Sequence, residues 1–297
     1  TIIYNFADTW FVGRTNNEAA VAAVSVAMPL FIVMTGLSNL FGIGGASVIS
    51  RALGEKKLDK ARGAFSFALW GSVAAAIVYS VIILCFSDKI VPLVGGDKNS
   101  HKFVVEYMFW TITVGSIPTM LNALLGHLVR SVGRARVSGF VMSLGAVLNI
   151  ILDPLFMFVI LPKGKEVMGA AIATLLSNVV SATVFVVFIL KSREEVFCIT
   201  PEELFKDKKI AAEVLSVGAP ACLSTCLAMV SNIVANKCMS DFGTSAVAGL
   251  GIAKKSTTLA FNINMGLTQG VLPLVGYTYA SKNFDRMKKT IYFTFTL

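Results

Sequence analysis

Long apolar segments separated by short polar connections make up most of the chain. Most apolar runs are longer than the roughly 20 residues that a helix needs to cross about 30 Å of hydrocarbon. Charged residues or clusters of Gly, Pro and Asn separate one run from the next. We predict the end of one helix up to Val12 and the start of another near Lys289. Between them the pattern predicts helices over 19–50, 63–86, 103–129, 137–160, 168–190, 210–239 and 245–280. The pattern is typical of an all-α, polytopic membrane protein.

Composition agrees with a membrane protein. Of the 297 residues, 55% are hydrophobic and 14% are charged, and the mean hydropathy is +0.74, whereas soluble domains are about a quarter charged. The chain lacks an initiator Met and stops inside the apolar run 290–297, so we expect truncation at both ends. The five cysteines lie mostly in or beside apolar runs and are interpreted as packing residues. Cys222 and Cys226 share a helix face, but only two histidines exist, so we expect no metal site of this kind and no cofactor.

The net charge of +9 has a topological explanation. If the first helix runs outward, the connections 51–62, 130–136, 191–209 and 282–289 are cytoplasmic, and they hold 17 of the 26 Lys and Arg residues. Basic residues favour cytoplasmic loops, so this bias predicts an N-terminus in the cytoplasm of the complete protein. A nucleic-acid partner is not expected, because no basic module interleaved with aromatic residues is present.

An internal repeat extends through a polar loop. The segment 19–27 resembles 245–253, and the same offset in sequence aligns Asp59 with Asp285. Similarity between apolar segments arises by chance, but hydrophobic composition cannot hold a register through a charged loop. We predict parallel six-helix repeats, with about nine of twelve helices present and the first and last incomplete. The expected organisation is a first lobe over 1–190, a cytoplasmic connector over 191–209 and the start of a second lobe over 210–297.

Two acidic residues lie well inside apolar runs. Asp8 and Asp153 each cost about 2.5 to 3.5 kcal/mol to insert into a membrane if unpaired. Measured along their helices, both lie in the outer half of the bilayer; Thr174 reaches a similar depth, and Asn149 lies one turn deeper on the face of Asp153. Burial favours the protonated form of a carboxyl group, and oxygen atoms suit Na⁺, so these four residues form a candidate cation-coupling cluster. The alternative is structural: Asp8 caps a helix end, and Asp153 satisfies backbone groups that Pro154 frees.

Further polar residues and prolines are candidates for a substrate cavity and for helix bending. The alternatives are hydrogen bonds between helices for the amides and, for the lysines, extension of the ammonium groups toward the outer surface. The cavity candidates are Asn5, Asn262, Asn264, Gln269, Lys254 and Lys255. The helix-bending candidates are Pro29, Pro154 and Pro273.

The segments 5–9, 42–54, 148–154 and 169–174 resemble the multidrug and toxic compound extrusion (MATE) family, nearest its DinF-like branch. The resemblance covers essentially the whole chain. It implies two six-helix lobes around a central cavity and export of cationic or amphipathic organic compounds in exchange for H⁺ or Na⁺. It also assigns the coupling role to the cluster of Asp8, Asn149, Asp153 and Thr174. The glutamate that the NorM-like branch carries after the proline of helix seven is absent, because Ala228 and Met229 follow Pro220 there.

The leading hypothesis is therefore a cation-coupled antiporter that works by alternating access, as a monomer in the cell membrane, on a small organic substrate. A lipid-linked saccharide flippase of the same superfamily is the alternative within transport, and Lys254 and Lys255 are its support. A receptor or scaffold of the membrane is a further alternative, although it has no need of paired intramembrane acids. No enzyme is expected, because no nucleophile with a base and no metal-ligand set appears.

Overall fold

The computed structural model describes residues 18–93, 101–162, 164–201, 208–240 and 244–296. The regular structure of these residues is helical and includes no strand, which confirms the predicted all-α class. Two π-helical segments, Phe109–Val114 and Leu155–Ile160, precede α4 and extend α5. The helices are α1 (Glu18–Gly54), α2 (Leu58–Leu93), α3 (His101–Met108), α4 (Ser116–Ser131), α5 (Ala135–Pro154), α6 (Glu166–Lys191), α7 (Lys208–Ser240), α8 (Thr244–Ala280) and α9 (Phe284–Thr296).

The observed helices are longer than the apolar runs that predict them. The run 63–86 predicts a helix that the structure extends to Leu58–Leu93, and the run 19–50 becomes Glu18–Gly54. Charged residues at these ends remain compatible with helical backbone, since they leave the hydrocarbon while the helix continues into the polar boundary. Hydropathy therefore locates the membrane-crossing part of each helix rather than its full length.

The predicted helix over 103–129 is not continuous. α3 passes into the π-helical segment Phe109–Val114, and the pair His101–Val114 and Ser116–Ser131 is bent by 50°. A Cβ at Gly115, between the two halves, would meet the carbonyl oxygens of Thr111 and, at 2.8 Å, Trp110. Pro118 follows in the first turn of α4, where its missing N–H costs no helical hydrogen bond. A glycine at the break and a proline at the new start together explain the bend.

The helix over 137–160 also changes type along its length. It is α-helical to Pro154 and π-helical from Leu155 to Ile160. A proline cannot donate a backbone hydrogen bond and crowds the preceding turn, which favours a local change of winding. The structure thus shows an altered helix at Pro154, whereas α1 and α8 remain helical through Pro29 and Pro273. Bending at the latter two positions stays a prediction.

The internal repeat is visible in the backbone. α1 and α8 are both 37 residues long, and their bounds differ by the predicted offset at each end. Each is followed by a lysine in the left-handed conformation, Lys56 and Lys282, both with φ of 58°. In both turns the backbone forms the paired hydrogen bonds of a Schellman cap. These bonds are Lys57 N–H to Ala52 O (2.9 Å), Lys56 N–H to Leu53 O (3.1 Å), Asn283 N–H to Thr278 O (2.9 Å) and Lys282 N–H to Tyr279 O (3.0 Å).

Among the described residues, five helices are long and apolar enough to cross a membrane, and a sixth if the bent pair α3 and α4 counts as one. α8, predicted as a crossing helix, is confirmed as a helix but is not among these. The crossing helices carry many exposed large apolar side chains, such as Phe140 (68%), Val159 (73%) and Leu190 (67%). Apolar exposure on this scale is expected of helices that face lipid.

Two large apolar clusters fill most of the interior of the described bundle, and a small third one joins Met157 and Ala170. One lies toward the basic connections and is built around Phe65, Leu128 and Phe185, each fully buried. The other lies toward the opposite end and contains Met34 and Met108, which are also buried. α1 supplies residues to both clusters, so it runs through the centre of the described structure.

α1 contacts α7 and α8 through glycines. A Cβ at Gly44 would touch the carbonyl oxygen of Val214, and one at Gly218 would touch that of Leu40. A Cβ at Gly54 would meet the carbonyl oxygen of Tyr277 in the same way. Backbones can approach this closely only where side chains are missing. We call these crossings, between the second half of α1 and the later helices, the seam.

The segment between α6 and α7 packs on α2. Trp70 Nε1 donates to the carbonyl oxygen of Ile199 at 2.8 Å, and Ser66 Oγ donates to that of Thr200 at 2.8 Å. Phe197 packs on Phe65 with ring centroids 5.4 Å apart. The described part of the predicted connector is therefore held on the helices that precede it.

Candidate functional site

The candidate site is built on the last turns of α5. Asp153 is fully buried, and Asn149, one helical turn earlier on the same face, is 3% exposed. Asn149 Nδ2 donates to Asp153 Oδ1 at 3.1 Å, as a neutral amide does toward a carboxylate. Pro154 follows directly, so the carboxyl group lies where the helix changes to π winding. Such changes of winding are frequent at functional sites.

α6 brings the third predicted residue to the same place. Asn149 Nδ2 also lies 3.4 Å from Thr174 Oγ1, a longer and weaker hydrogen bond than the first. Gly169 makes this approach feasible, because a Cβ there would lie 2.8 Å from the backbone carbonyl of Phe156. The start of α6 therefore packs directly on the π-helical backbone beyond Asp153.

The structure thus brings together three of the four cluster residues, Asn149, Asp153 and Thr174. The fourth, Asp8, and the cavity candidate Asn5 lie outside the described residues. The geometry provides a carboxylate, an amide and a hydroxyl within one hydrogen-bonded group.

Two asparagines extend the group further and were missed by the sequence prediction. Asn178 Nδ2 donates to the carbonyl oxygen of Thr174 at 2.9 Å, and Asn122 Nδ2 donates to Asn178 Oδ1 at 2.8 Å. The sequence could have indicated Asn178, because it follows Thr174 by one turn on the same helix face. It could not have indicated Asn122, because the packing of α4 on α6 is seen only in the tertiary structure.

The chemistry of this group suits a proton or a hard monovalent cation. Asn122 Oδ1 and Asn149 Oδ1 are buried and accept no hydrogen bond from the described residues. Together with the carboxylate and the Thr174 hydroxyl they supply oxygen atoms, the ligand type that hard cations select. Among the described residues no group of three or more His, Cys, Asp and Glu residues could hold a metal ion.

The cavity candidates on α8 have different environments. Gln269 Oε1 accepts a hydrogen bond from Arg130 Nη1 of α4 at 2.8 Å, so it forms the interhelical contact that was its alternative interpretation. Asn262 Nδ2 donates to the Thr258 carbonyl of its own helix at 2.8 Å. Asn264 is exposed, and Lys254 is partly exposed. The Lys255 side chain lies outside the description.

The fold and this site together define a polytopic helical membrane protein with an internal parallel repeat and a buried polar cluster in its first half. Comparison with known proteins identifies the family. The MatE family profile matches residues 1–155 and 220–297. The chain belongs to the MATE family of multidrug export transporters.

Individual relatives agree with this assignment. The multidrug export protein MepA of Staphylococcus aureus (strain MRSA252) is 31% identical over 292 residues, which cover 98% of this chain and 63% of MepA. This chain therefore spans less than two thirds of the length of that relative. A crystal structure of a MATE protein in complex with MaL6 superposes with a TM-score of 0.91 at 25% identity, over 99% of this chain and 64% of the other.

A third similar protein is a MOP superfamily transporter from Pyrococcus furiosus. It has a TM-score of 0.89 and 25% identity, and the match covers 98% of this chain and 64% of the other. That transporter is described as having a binding pocket of reverse polarity that suggests a different function. Similar folds in this superfamily thus accompany pockets of different charge, and the substrate has to be argued from the site.

Proposed function

We propose that this protein is a cation-coupled antiporter that exports cationic or amphipathic organic compounds by alternating access. The observation that supports the proposal most is the fully buried Asp153, hydrogen-bonded by Asn149, which also reaches Thr174. A carboxyl group in this position changes charge when it takes up H⁺, or is neutralised when Na⁺ binds among the neighbouring oxygens. Either event alters the energy of a site buried between helices.

Coupling then follows from differential affinity. If the cation binds more tightly in the state open to the outside, its binding shifts the protein toward that state, and its release on the other side completes the exchange. Asp8 belongs to the proposed cluster as a second carboxylate. With two acids sharing one pocket, loss of a proton from one raises the cost of ionising the other, which makes the cluster responsive to cations.

The proposal includes the setting of the protein. We place it in the cell membrane as a multi-pass monomer, nearest the DinF-like branch, with the connections rich in Lys and Arg on the cytoplasmic side. The charge distribution supports this orientation. The two lobes over 1–190 and 210–297, joined by the connector, are the bodies that would move relative to each other.

The decisive experiment uses the full-length protein in proteoliposomes, with ethidium as a cationic probe. Efflux of the probe and the accompanying H⁺ flux are measured with and without Na⁺, for the wild type and for Asp153→Asn. We expect Asp153→Asn to abolish probe-dependent cation exchange, because the amide cannot exchange a proton and binds Na⁺ weakly. Asp285→Asn, which removes an exposed acid at the start of α9, is the matched control and should retain exchange.

Unchanged exchange in Asp153→Asn would refute the coupling role. If ethidium efflux depends on Na⁺ at constant pH, Na⁺ is the coupling ion. If a proton gradient drives efflux in the absence of Na⁺, H⁺ is the coupling ion. No transport by the wild type, combined with ligand-dependent binding of a partner protein, would favour the receptor or scaffold alternative.

The flippase alternative has one supporting observation. Arg130 is a partly buried cation at the contact between α4 and α8, and the described residues offer it neutral acceptors rather than a carboxylate. A more cationic cavity would suit an anionic lipid-linked substrate. Translocation of a fluorescent lipid-linked saccharide by proteoliposomes that do not move ethidium would favour this function over drug export.

A further inference from the structure

Arg130 joins two helices that belong to different predicted lobes. It lies near the end of α4, and its Nη1 donates to Gln269 Oε1 of α8 at 2.8 Å. The other polar contacts of the guanidinium stay within the first lobe: Nε donates to the Gly126 carbonyl at 3.1 Å and to Ser138 Oγ at 3.2 Å. The Arg130–Gln269 hydrogen bond is therefore a direct polar connection from α4 to the second predicted lobe.

The positive charge of Arg130 strengthens this hydrogen bond. Its acceptors among the described residues are an amide, a carbonyl, a hydroxyl and the Met142 sulfur, and none of the ion pairs of the described residues includes it. A partly buried guanidinium needs such acceptors, since the lost hydration is not otherwise replaced. Hydrogen bonds with one charged partner are about twice as strong as those between neutral groups.

About two helical turns beyond Gln269, α8 meets α1. A Cβ at Gly276 would be 3.6 Å from the Ser50 Cβ and 2.8 Å from its hydroxyl oxygen. Ser50 and Gly276 are equivalent positions of the repeat, so this contact lies on the axis that relates the two predicted lobes. Lys60 adds an ion pair across the same end, with Nζ 2.7 Å from Glu213 of α7.

We propose that the Arg130–Gln269 hydrogen bond helps to hold the two lobes together at the end that carries the basic connections, and that its loss shifts the conformational equilibrium toward opening of this end. The inference rests on the alternating-access part of the proposed function. It assigns Arg130 and Gln269 a positioning role in the conformational equilibrium, distinct from cation coupling at Asp153. Opening breaks this hydrogen bond together with the Lys60–Glu213 ion pair, and water then hydrates the freed polar groups.

The test measures closure of this end directly by disulfide formation. In a cysteine-free, full-length background, the pair Ser50→Cys and Gly276→Cys places two cysteine Cβ atoms 3.6 Å apart, within the range of about 3.5 to 4.5 Å found in disulfides. The rate of oxidation by copper phenanthroline in membranes then reports the closed fraction. Gel filtration of each variant in detergent shows that it is folded.

Changes at Gln269 should move this rate in opposite directions. Gln269→Leu removes the acceptor and should lower the ratio of closed to open protein at least about tenfold, the fold-change that corresponds to the weakest hydrogen bonds to charged groups. Gln269→Glu replaces the amide by a carboxylate and should increase cross-linking. Adding Arg130→Leu to Gln269→Glu should remove that increase. Thr183→Ala, whose hydroxyl bonds only within α6 among the described residues, is the control.

Equal cross-linking rates in the folded Gln269→Leu and Gln269→Glu proteins would overturn the inference. An increased cross-linking rate in Gln269→Glu that persists when Arg130→Leu is added would also overturn it. The cross-linking assay requires no substrate, so it is independent of the antiport experiment. If the opposite shifts are observed while the wild type exchanges no cation for ethidium, the antiporter proposal fails and the closure by Arg130 stands. If antiport is observed without the shifts, only the role of the Arg130–Gln269 bond fails.

Discussion

Gly218→Ala tests whether the seam depends on contact between helix backbones. The added methyl group would touch the carbonyl oxygen of Leu40, and would lie 2.7 Å from its carbonyl carbon and 3.0 Å from its Cα. Real Cβ atoms essentially never lie within 3.0 Å of such atoms, and a backbone cannot rotate aside as a side chain does. The α1 and α7 helices must therefore separate, or shift along each other.

The expected cost combines two opposing effects. Forced overpacking costs about 1 to 3 kcal/mol, and a backbone contact belongs toward the upper part of that range. Replacing glycine by alanine inside a helix returns about 0.5 to 1 kcal/mol. We therefore expect Gly218→Ala to lower the free energy of unfolding by about 1 to 2 kcal/mol. With an unfolding entropy of about 2 cal/mol/K per residue, this corresponds to a fall in Tm of roughly 1 to 3 °C.

Gly139→Ala is the matched comparison. Gly139 also lies inside a helix, α5, but a Cβ there would meet nothing within 4 Å, so only the helix-propensity gain should remain. The assay is thermal unfolding of the purified full-length protein. Unfolding is monitored by light scattering or by the fluorescence of a dye that does not react with cysteine. We expect Gly218→Ala to melt below the wild type and Gly139→Ala at or above it. Equal melting temperatures for the two variants would refute the backbone-contact explanation of the seam.

Two further predictions follow from close contacts and turns. Gly145→Ala should destabilise the packing of α5 on α6 by about 1 to 2 kcal/mol, because the new methyl group would touch the Ser181 hydroxyl. Gly145→Ala combined with Ser181→Ala should recover most of this loss in thermal unfolding, and no recovery would contradict the assignment. Lys56→Gly and Lys282→Gly should each stabilise by about 0.5 to 1 kcal/mol, since φ of 58° disfavours a residue with a Cβ. Unequal shifts in Tm would argue against equivalence of the two turns.

The sequence was sufficient to predict the fold class and the register of the repeat. Apolar run length locates crossing helices because hydrocarbon thickness imposes it, and the register persists through Asp59 and Asp285, where composition alone cannot produce a match. The same reasoning placed Thr174 at nearly the depth of Asp153, with Asn149 one turn deeper on the same helix face. It could do so because α5 and α6 are joined by a short connection and a helix rises by a constant step per residue.

Other features depend on tertiary contacts that hydropathy does not carry. The π-helical segments have the same apolar composition as the α-helix around them, so only Gly115 and Pro154 marked their positions. Asn122 joins the polar group because α4 packs on α6, and Arg130 finds Gln269 because α4 reaches α8. Pairings between helices far apart in sequence are set by tertiary packing, which the hydropathy pattern along the chain does not encode.

The seam also bears on how far such sequences can diverge. Its crossings are made by backbone atoms at Gly44, Gly54 and Gly218, so a small number of glycines sets how closely α1 packs against α7 and α8 in this conformation. Side chains elsewhere on these helices can then be substituted without moving the helices. Substitutions at positions other than these glycines are therefore expected to leave the crossings of α1 with α7 and α8 in place.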